Sequence, residues 1–439
     1  MNANSTLYPY FLKHPHICTD SRKVEKGDFF FALSGPRFDG NAFALQALRD
    51  GAACAVVSDE ELVRKDNRCL YVPDTLVALQ ELAHTHRMHF DIPVIAITGT
   101  NGKTTTKELT RSVLAQKYAV LSTEGNLNNH IGVPLTLLRL TEEHEIALVE
   151  MGASGAGEIA LLASIAHPTA GLITNVGKAH LEGFGSIEGV LEAKSELPEF
   201  LKAHGGTYFL NADDPRLFAK WASFAAITYG LDKDKHPDLS GVILRDHPFL
   251  ELCVFTAEEP IEILTHLTGK YNYQNVLAAT AVGLYFGIRP EQIKTAVEGY
   301  HPSNSRSQVI EWSDGITVIM DAYNANPSSM MAALKNLAEL SLPRKIAILG
   351  DMLELGTASE AEHTAVVEWL KSEPEITPYL CGKEFRKASE GTFLVYETSD
   401  DLVSHLSDIR IPAGSCILIK GSRGIALEKV LSALRELYQ

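Results

Sequence analysis

Residues 93–110 read Pro-Val-Ile-Ala-Ile-Thr-Gly-Thr-Asn-Gly-Lys-Thr-Thr-Thr-Lys-Glu-Leu-Thr, and this stretch limits the folds open to the chain more than any other. The β-branched run at 94–97 suits a buried strand, glycine-bearing turn residues follow, and from Lys103 the pattern turns helical. Strand, glycine loop and helix together make a cradle for phosphate. Gly99 and Gly102 let backbone N–H groups face an anion with no Cβ in the way, and the helix N-terminus adds partial positive charge. In such a loop (Gly99, Thr100, Asn101, Gly102, Lys103, Thr104, Thr105) the Lys103 ammonium reaches the β- and γ-phosphates and the Thr104 hydroxyl sits on Mg²⁺. The usual pattern needs a glycine where this chain has Ile97, so Thr98-Gly99-Thr100-Asn101-Gly102-Lys103-Thr104 is a shorter variant. A plain turn with a solvated lysine would leave the agreement of strand, turn, Lys-Thr pair and helix without a cause.

A chain of 439 residues divides into about three domains on the usual length relation. Its formal net charge of −16 argues against a general affinity for nucleic acid. An anionic substrate must then be held by local lysines, arginines, helix ends and metal ions. The six cysteines are scattered without a C-x-x-C pair, which suits free thiols in a reducing compartment. Residues 1–23 carry polar groups throughout, so no signal peptide is expected, and no run approaches the ~18 apolar residues of a membrane span. A cytoplasmic protein with no membrane insertion follows as the expectation.

The pattern along the chain is α/β throughout. Residues 1–87 form a small N-terminal α/β unit, with a strand near 29–33, a helix at 43–50 and a strand at 52–57. Ahead of them, Thr19-Asp20-Ser21-Arg22-Lys23 is a turn that would hold a ribose or pyrophosphate and serves equally as an ordinary capped turn. The polar stretch 84–91 before Pro93 marks the start of a central domain, 88–300. In it the strand at 146–151 ends in Glu150 and the strand at 171–176 leads to His180. Ligands bind at the carboxyl edge of an open α/β sheet, and a carboxylate and an imidazole there, beside Thr104, suit a divalent metal. The loop 125–132 carries Asn126, Asn128 and Asn129, suited to polar ligand binding or to turn chemistry alone. Lys194 lies on the helix 187–201, where lysines are ordinarily solvated. Stretches at 241–255 and 261–267 extend the sheet in antiparallel fashion, and Asn272 and Asn275 open an alanine-rich helix able to cap itself or bond an adenine edge. A Pro/Ser/Asn linker at 299–305 precedes a third domain, 301–439, with a doubly wound pattern but no G-x-G-x-x-G fingerprint.

Taken together, Thr-Gly-Thr-Asn-Gly-Lys-Thr, Glu150 in Val-Glu-Met-Gly-Ala, 174–182 with His180, Asn211-Ala212-Asp213-Asp214 and the Asn272/Asn275 helix entry resemble the Mur ligases of peptidoglycan precursor synthesis. The stretches 125–134, 321–327 and 349–356 resemble the branch of that family that adds D-alanyl-D-alanine. The resemblance implies a small N-terminal α/β domain for the UDP end of the substrate, a central P-loop ATPase with a mostly parallel sheet and a C-terminal Rossmann-like domain. It implies ATP and Mg²⁺ as cofactors, and UDP-N-acetylmuramoyl-tripeptide and D-alanyl-D-alanine as substrates of a monomer. By the same resemblance Lys103 and Thr104 serve the phosphates and first metal, Glu150 and His180 the magnesium sites, Asn275 adenine, Asp321 the ribose and Arg306 the phosphates. Thr19, Ser21 and Arg22 lie near the uridine diphosphate; Asn126, Asn128 and Asn129 approach the peptide; Asn324, Asn326 and Arg423 meet the dipeptide. Lys194 falls where many members carry a carbamylated, metal-bridging lysine, and joins Lys103 and His180 in the expected catalytic set. His130 and Ala322 stand where acidic groups are common in the family.

Three other readings remain open to the sequence: a different ligase of the same superfamily, such as a folylpolyglutamate synthase, a nucleotide-dependent module without catalysis, and a motor-type ATPase. Intact Lys103, Thr104, Glu150 and His180 speak against the second, and the lack of an acidic pair after an apolar strand speaks against the third.

Overall fold

The computed structural model describes residues 3–438 apart from Arg37, His236, Asn304, Pro343 and Arg410. Three sheets follow one another along the chain. The first is parallel, in the order Ile17–Cys18, Phe29–Phe31, Cys54–Val57, Cys69–Tyr71. Phe29 and Phe31 turn to one face and Phe30 to the other, as strand alternation requires, and all three are buried because helices cover both sides.

The central sheet has nine strands. Seven run parallel, from Val120–Ser122 at one edge through Ile146–Glu150, Val94–Thr98, Ala170–Ile173, Thr207–Asn211 and Ile227–Gly230 to Leu239–Arg245. Glu251–Phe255 and Pro260–Leu264 then add antiparallel, as their alternating apolar pattern predicts. Val94–Thr98 comes first in the sequence of this sheet yet lies inside it, between Ile146–Glu150 and Ala170–Ile173. The chain leaves that strand to build one side of the sheet and then returns to build the other. This is the topological switch point of an open α/β sheet, and the glycine loop emerges there.

In the third sheet Gln308–Glu311 pairs antiparallel with Thr317–Asp321, and the rest are parallel in the order Thr317–Asp321, Ser415–Lys420, Arg344–Gly350, Ile376–Cys381, Val395–Tyr396. Apolar clusters fill both faces, one centred on Met330, Leu334 and Leu349 and the other on Val318, Ile348 and Ile417.

Several helices lie outside the sequence-based expectations, and two of them shape the first domain and its junction with the second. Ala3–Lys13 buries Leu7 and Phe11, one turn apart. Thr75–Arg87 buries Leu79, Leu82 and Ala83 in an apolar cluster that runs on into the central sheet through Val94 and Val149. The polar run that suggests a linker ends inside this packing. Arg87 is 5% exposed because its guanidinium donates to the carbonyls of Ala166, Phe90 and Ile92 at 3.1, 2.7 and 3.2 Å. A cation surrounded by carbonyl acceptors is tolerated at depth, so charge alone does not mark a boundary here.

Candidate active site

The loop from Gly99 to Gly102 is shaped by close approach. Gly99 has φ +147 and a Cβ there would collide with the Thr174 hydroxyl; Gly102 has φ +77 and caps the helix Lys103–Leu114. Both positions favour glycine for backbone reasons. The loop is tied to the end of the next strand: Thr100 N–H donates to Asn175 O at 2.9 Å, Asn101 N–H to Asn175 Oδ1 at 3.0 Å, and Thr174 Oγ1 to Asn101 O at 2.7 Å. Lys103 folds back so that Nζ donates to Gly99 O at 2.8 Å and Thr100 O at 3.2 Å. Burial pulls its ammonium below the usual lysine range and Arg306 adds to this, while Glu150 works the other way.

The hydroxyl of Thr104 donates to Glu150 Oε2, and the Asn128 amide donates to Glu150 Oε1, both at 2.8 Å. Glu150 is 1% exposed. Among the described residues no lysine or arginine pairs with it, so both oxygens of a buried anion are met only by neutral donors. His180 lies past the end of Ala170–Ile173 at φ +48, with Nδ1 2.7 Å from Glu354 Oε2 but outside hydrogen-bond geometry. Burial lowers its pKa, Lys103 and Lys194 lower it further, and Glu354 opposes them. Lys194, on Ile187–Ala203, is buried rather than solvated, with Nζ 5.7 Å from the centre of the Phe184 ring. Burial, then Lys103, press its pKa far below the ordinary lysine value.

Lys103, Thr104, Glu150 and His180 open onto a cavity of about 630 Å³ whose other wall comes from the third domain. Asp321, at the end of Thr317–Asp321, pairs with Lys420 at 2.6 Å and accepts from the Ser307 N–H at 3.1 Å. The Tyr323 ring carries the Arg306 guanidinium at 3.8 Å and that of Arg423 at 5.3 Å. Asn326 caps the helix Pro327–Glu339 and donates to Asn101 Oδ1 at 2.8 Å, joining the third domain to the glycine loop.

Most residues expected from the sequence therefore meet at one place: Thr100 to Thr105, Asn126, Asn128, Asn129, Glu150, His180, Asn275, Arg306, Asp321, Asn324, Asn326 and Arg423 all line the cavity. Several have less free capacity than expected. Asn275 is buried, accepts from Thr106 Oγ1 at 3.0 Å and donates to Asn272 Oδ1 at 2.7 Å. Asn129 Oδ1 accepts from the Ile131 and Gly132 N–H groups, and Asn324 Oδ1 accepts from Ala325 N–H. Gly99 and Lys194 lie outside the cavity lining. So do Thr19, Ser21 and Arg22, which sit on the N-terminal domain, where exposed Arg22 pairs with Asp20 at 2.8 Å. Lys420, Tyr323, Glu354 and Tyr271 also line the cavity and are not among the expected site residues, although Tyr323 and Glu354 lie in the stretches 321–327 and 349–356 that carry the resemblance.

A nucleotide cradle at a switch point, roofed by strand ends of a Rossmann-like domain, is the arrangement of an ATP-dependent ligase. Residues 15–87 match the model of the Mur ligase family catalytic domain, 97–283 that of the Mur ligase middle domain, and 305–423 that of the Mur ligase glutamate ligase domain. The chain belongs to the Mur ligase family. Within it, the UDP-N-acetylmuramoyl-tripeptide–D-alanyl-D-alanine ligase of Bacillus subtilis is 38% identical, covering 96% of this chain and 93% of the relative. The ligase of the same name from Escherichia coli is 36% identical over the same shares. The crystal structure of MurF from Acinetobacter baumannii superposes with a TM-score of 0.86 at 32% identity, over 96% of this chain and 93% of that one. MurF from Thermotoga maritima, solved in complex with ADP, gives 0.84 at 28% identity, over 97% and 98%.

Proposed function

We propose that this chain is an ATP-dependent ligase that joins D-alanyl-D-alanine to the terminal carboxylate of UDP-N-acetylmuramoyl-tripeptide, making a peptidoglycan precursor in the cytoplasm. The observation that carries the reading is the single cavity in which Lys103, Thr104, Glu150 and His180 face Asp321, Arg306 and Arg423. Nearly full-length likeness to ligases of that name supports the choice of substrates.

The chemistry begins from a carboxylate, which cannot lose oxide. Its attack on the γ-phosphorus of ATP gives an acyl phosphate and ADP. The dipeptide amine adds to the carbonyl carbon, and phosphate leaves as the amide forms. Two anions must meet in the first step. Lys103, the N–H groups of the glycine loop and Arg306 offset that repulsion as charge develops. Asp321 holds the ribose, Asn275 lies toward the base, and Asn126 and Asn128 toward the peptide. The N-terminal domain, with Thr19, Ser21 and Arg22, takes the uridine diphosphate.

The donor set fits Mg²⁺, since Glu150 is a buried carboxylate beside a hydroxyl, with no lysine or arginine in ion-pair contact among the described residues, and the His180 imidazole lines the same cavity. Thr104, Glu150 and His180 would hold it, where it supplies Lewis-acid stabilisation of phosphoryl oxygens. Lys194 is the fourth candidate. As a neutral amine it can attack carbon dioxide, lose a proton and become a carbamate, exchanging a cation for a metal-binding anion.

The test is incubation of the purified protein with ATP, Mg²⁺, the UDP-linked tripeptide and D-alanyl-D-alanine. Phosphate release that needs both cosubstrates, with a product heavier by the dipeptide less water, is expected. Release that ignores the dipeptide, or runs faster with a single amino acid in its place, overturns the reading.

A further inference from the structure

The loop after Arg344–Gly350 holds one carboxylate with no assigned work. It is pinned at several points: Asp351 accepts from the Glu384 and Phe385 N–H groups at 2.9 Å, Met352 N–H donates to His363 Nε2 at 3.0 Å, and Leu353 N–H donates to Ser422 Oγ at 2.9 Å. The last bond sets this loop directly against the one carrying Arg423. A Cβ at Gly424 would touch Leu353 Cδ1 at 2.9 Å, so the two loops are in van der Waals contact. Glu354 follows with φ +63, a backbone that non-glycine residues seldom adopt and that persists where the surroundings enforce it. Its side chain is 63% exposed and lines the cavity.

The charges on these adjacent loops are complementary and unspent. Among the described residues Glu354 has no lysine or arginine partner; its one close charged-type neighbour is the His180 imidazole, 2.7 Å away but outside hydrogen-bond geometry. Among the described residues Arg423 has no carboxylate partner, and its guanidinium meets the Tyr323 ring and hydroxyl. The third domain therefore presents, on two adjoining loops that line the same cavity, a carboxylate and a guanidinium without ion-pair partners among the described lysines, arginines and carboxylates. A zwitterion is the ligand that satisfies both, and a dipeptide spans about 7 Å between its charged ends when extended.

We propose that Glu354 is a specificity-determining residue that binds the ammonium group of the incoming dipeptide while Arg423 takes its carboxylate. The inference rests on the function proposed above. Its contact with His180 places the captured amine on the side of the cavity where the acyl phosphate forms. An ion pair of this kind discriminates against a ligand lacking its charged group, because the site's own charge is then left without a partner.

The experiment uses the full chain as wild type, Glu354→Gln and Glu354→Gly; glycine suits the left-handed backbone and guards against misfolding. Dissociation constants are measured for D-alanyl-D-alanine and for propionyl-D-alanine, which lacks only the amino group, with the UDP-linked tripeptide and a non-hydrolysable ATP analogue present. Wild type should prefer the amine, and both variants should lose at least about tenfold of that preference. KM for the dipeptide should rise in parallel while KM for ATP and the tripeptide stays unchanged. Glu354→Asp should recover part of the preference. Variants that keep the preference, or that raise all three KM values together as a mere domain contact would, overturn the assignment. A wild type that releases no phosphate with D-alanyl-D-alanine would instead overturn the underlying function.

Discussion

The Thr104 hydroxyl donates to Glu150 Oε2 across 2.8 Å, linking the first turn after the glycine loop to the end of the neighbouring strand. That bond and the one from Asn128 meet both oxygens of a buried carboxylate that has no lysine or arginine in ion-pair contact among the described residues. Glu150→Gln keeps the shape and removes the charge. Steady-state assays should show kcat lower by about 10²–10³-fold, with the melting temperature within a few degrees of wild type because the amide keeps the side chain's shape. Unchanged kcat would remove Glu150 from the phosphate machinery.

Lys103 donates only to carbonyls of its own loop, so Lys103→Ala removes little packing. Turnover should fall below detection in a phosphate-release assay, and the melting temperature should stay within a few degrees of wild type.

Lys194 is buried with no carboxylate beside it among the described residues, so its charged form is disfavoured in the folded protein. Lys194→Met should be as stable as wild type or more so in thermal melts, while turnover drops by at least about 10²-fold. Intact-mass measurement of wild type equilibrated with bicarbonate should show the added mass of one carbon dioxide, absent in the variant. A stable, fully active Met variant would return the lysine to a packing role.

His86, on the helix Thr75–Arg87, is buried against Ala3–Lys13, touching the Tyr8 hydroxyl at 3.2 Å and Leu140 O at 3.0 Å. Burial lowers its pKa. With a folded pKa below the unfolded value, the native state binds fewer protons in the interval between them. Stability is then greatest above about pH 6.5 and falls as pH drops through the window below it. Melts of wild type and His86→Gln at pH 7.5 and 5.5 should show a smaller acid-induced loss in the variant.

Much of this site is legible in the sequence because its residues sit at strand ends, and a βα pattern sends successive strand ends to one edge. That suffices for Lys103, Thr104, Glu150 and His180. What a side chain spends its hydrogen bonds on is not local. Asn275 reads as a free amide in a helix entry, yet Thr106, 169 positions earlier, takes its oxygen. Tyr323 and Glu354 lie in stretches marked as characteristic, but their value depends on Arg306, Arg423 and His180 arriving from elsewhere in the chain. The helix Thr75–Arg87 was hidden for a related reason. Its last turn is polar in composition and buried in fact, because the carbonyls that satisfy Arg87 come partly from 79 residues away.

The claim everything depends on is that the tripeptide's own carboxylate takes the γ-phosphoryl group at the glycine loop. With a heavy-oxygen label in that terminal carboxylate, the phosphate released on adding ATP and D-alanyl-D-alanine should carry one labelled oxygen, and Lys103→Ala should release none. Phosphate free of label from an active wild-type enzyme would contradict the account.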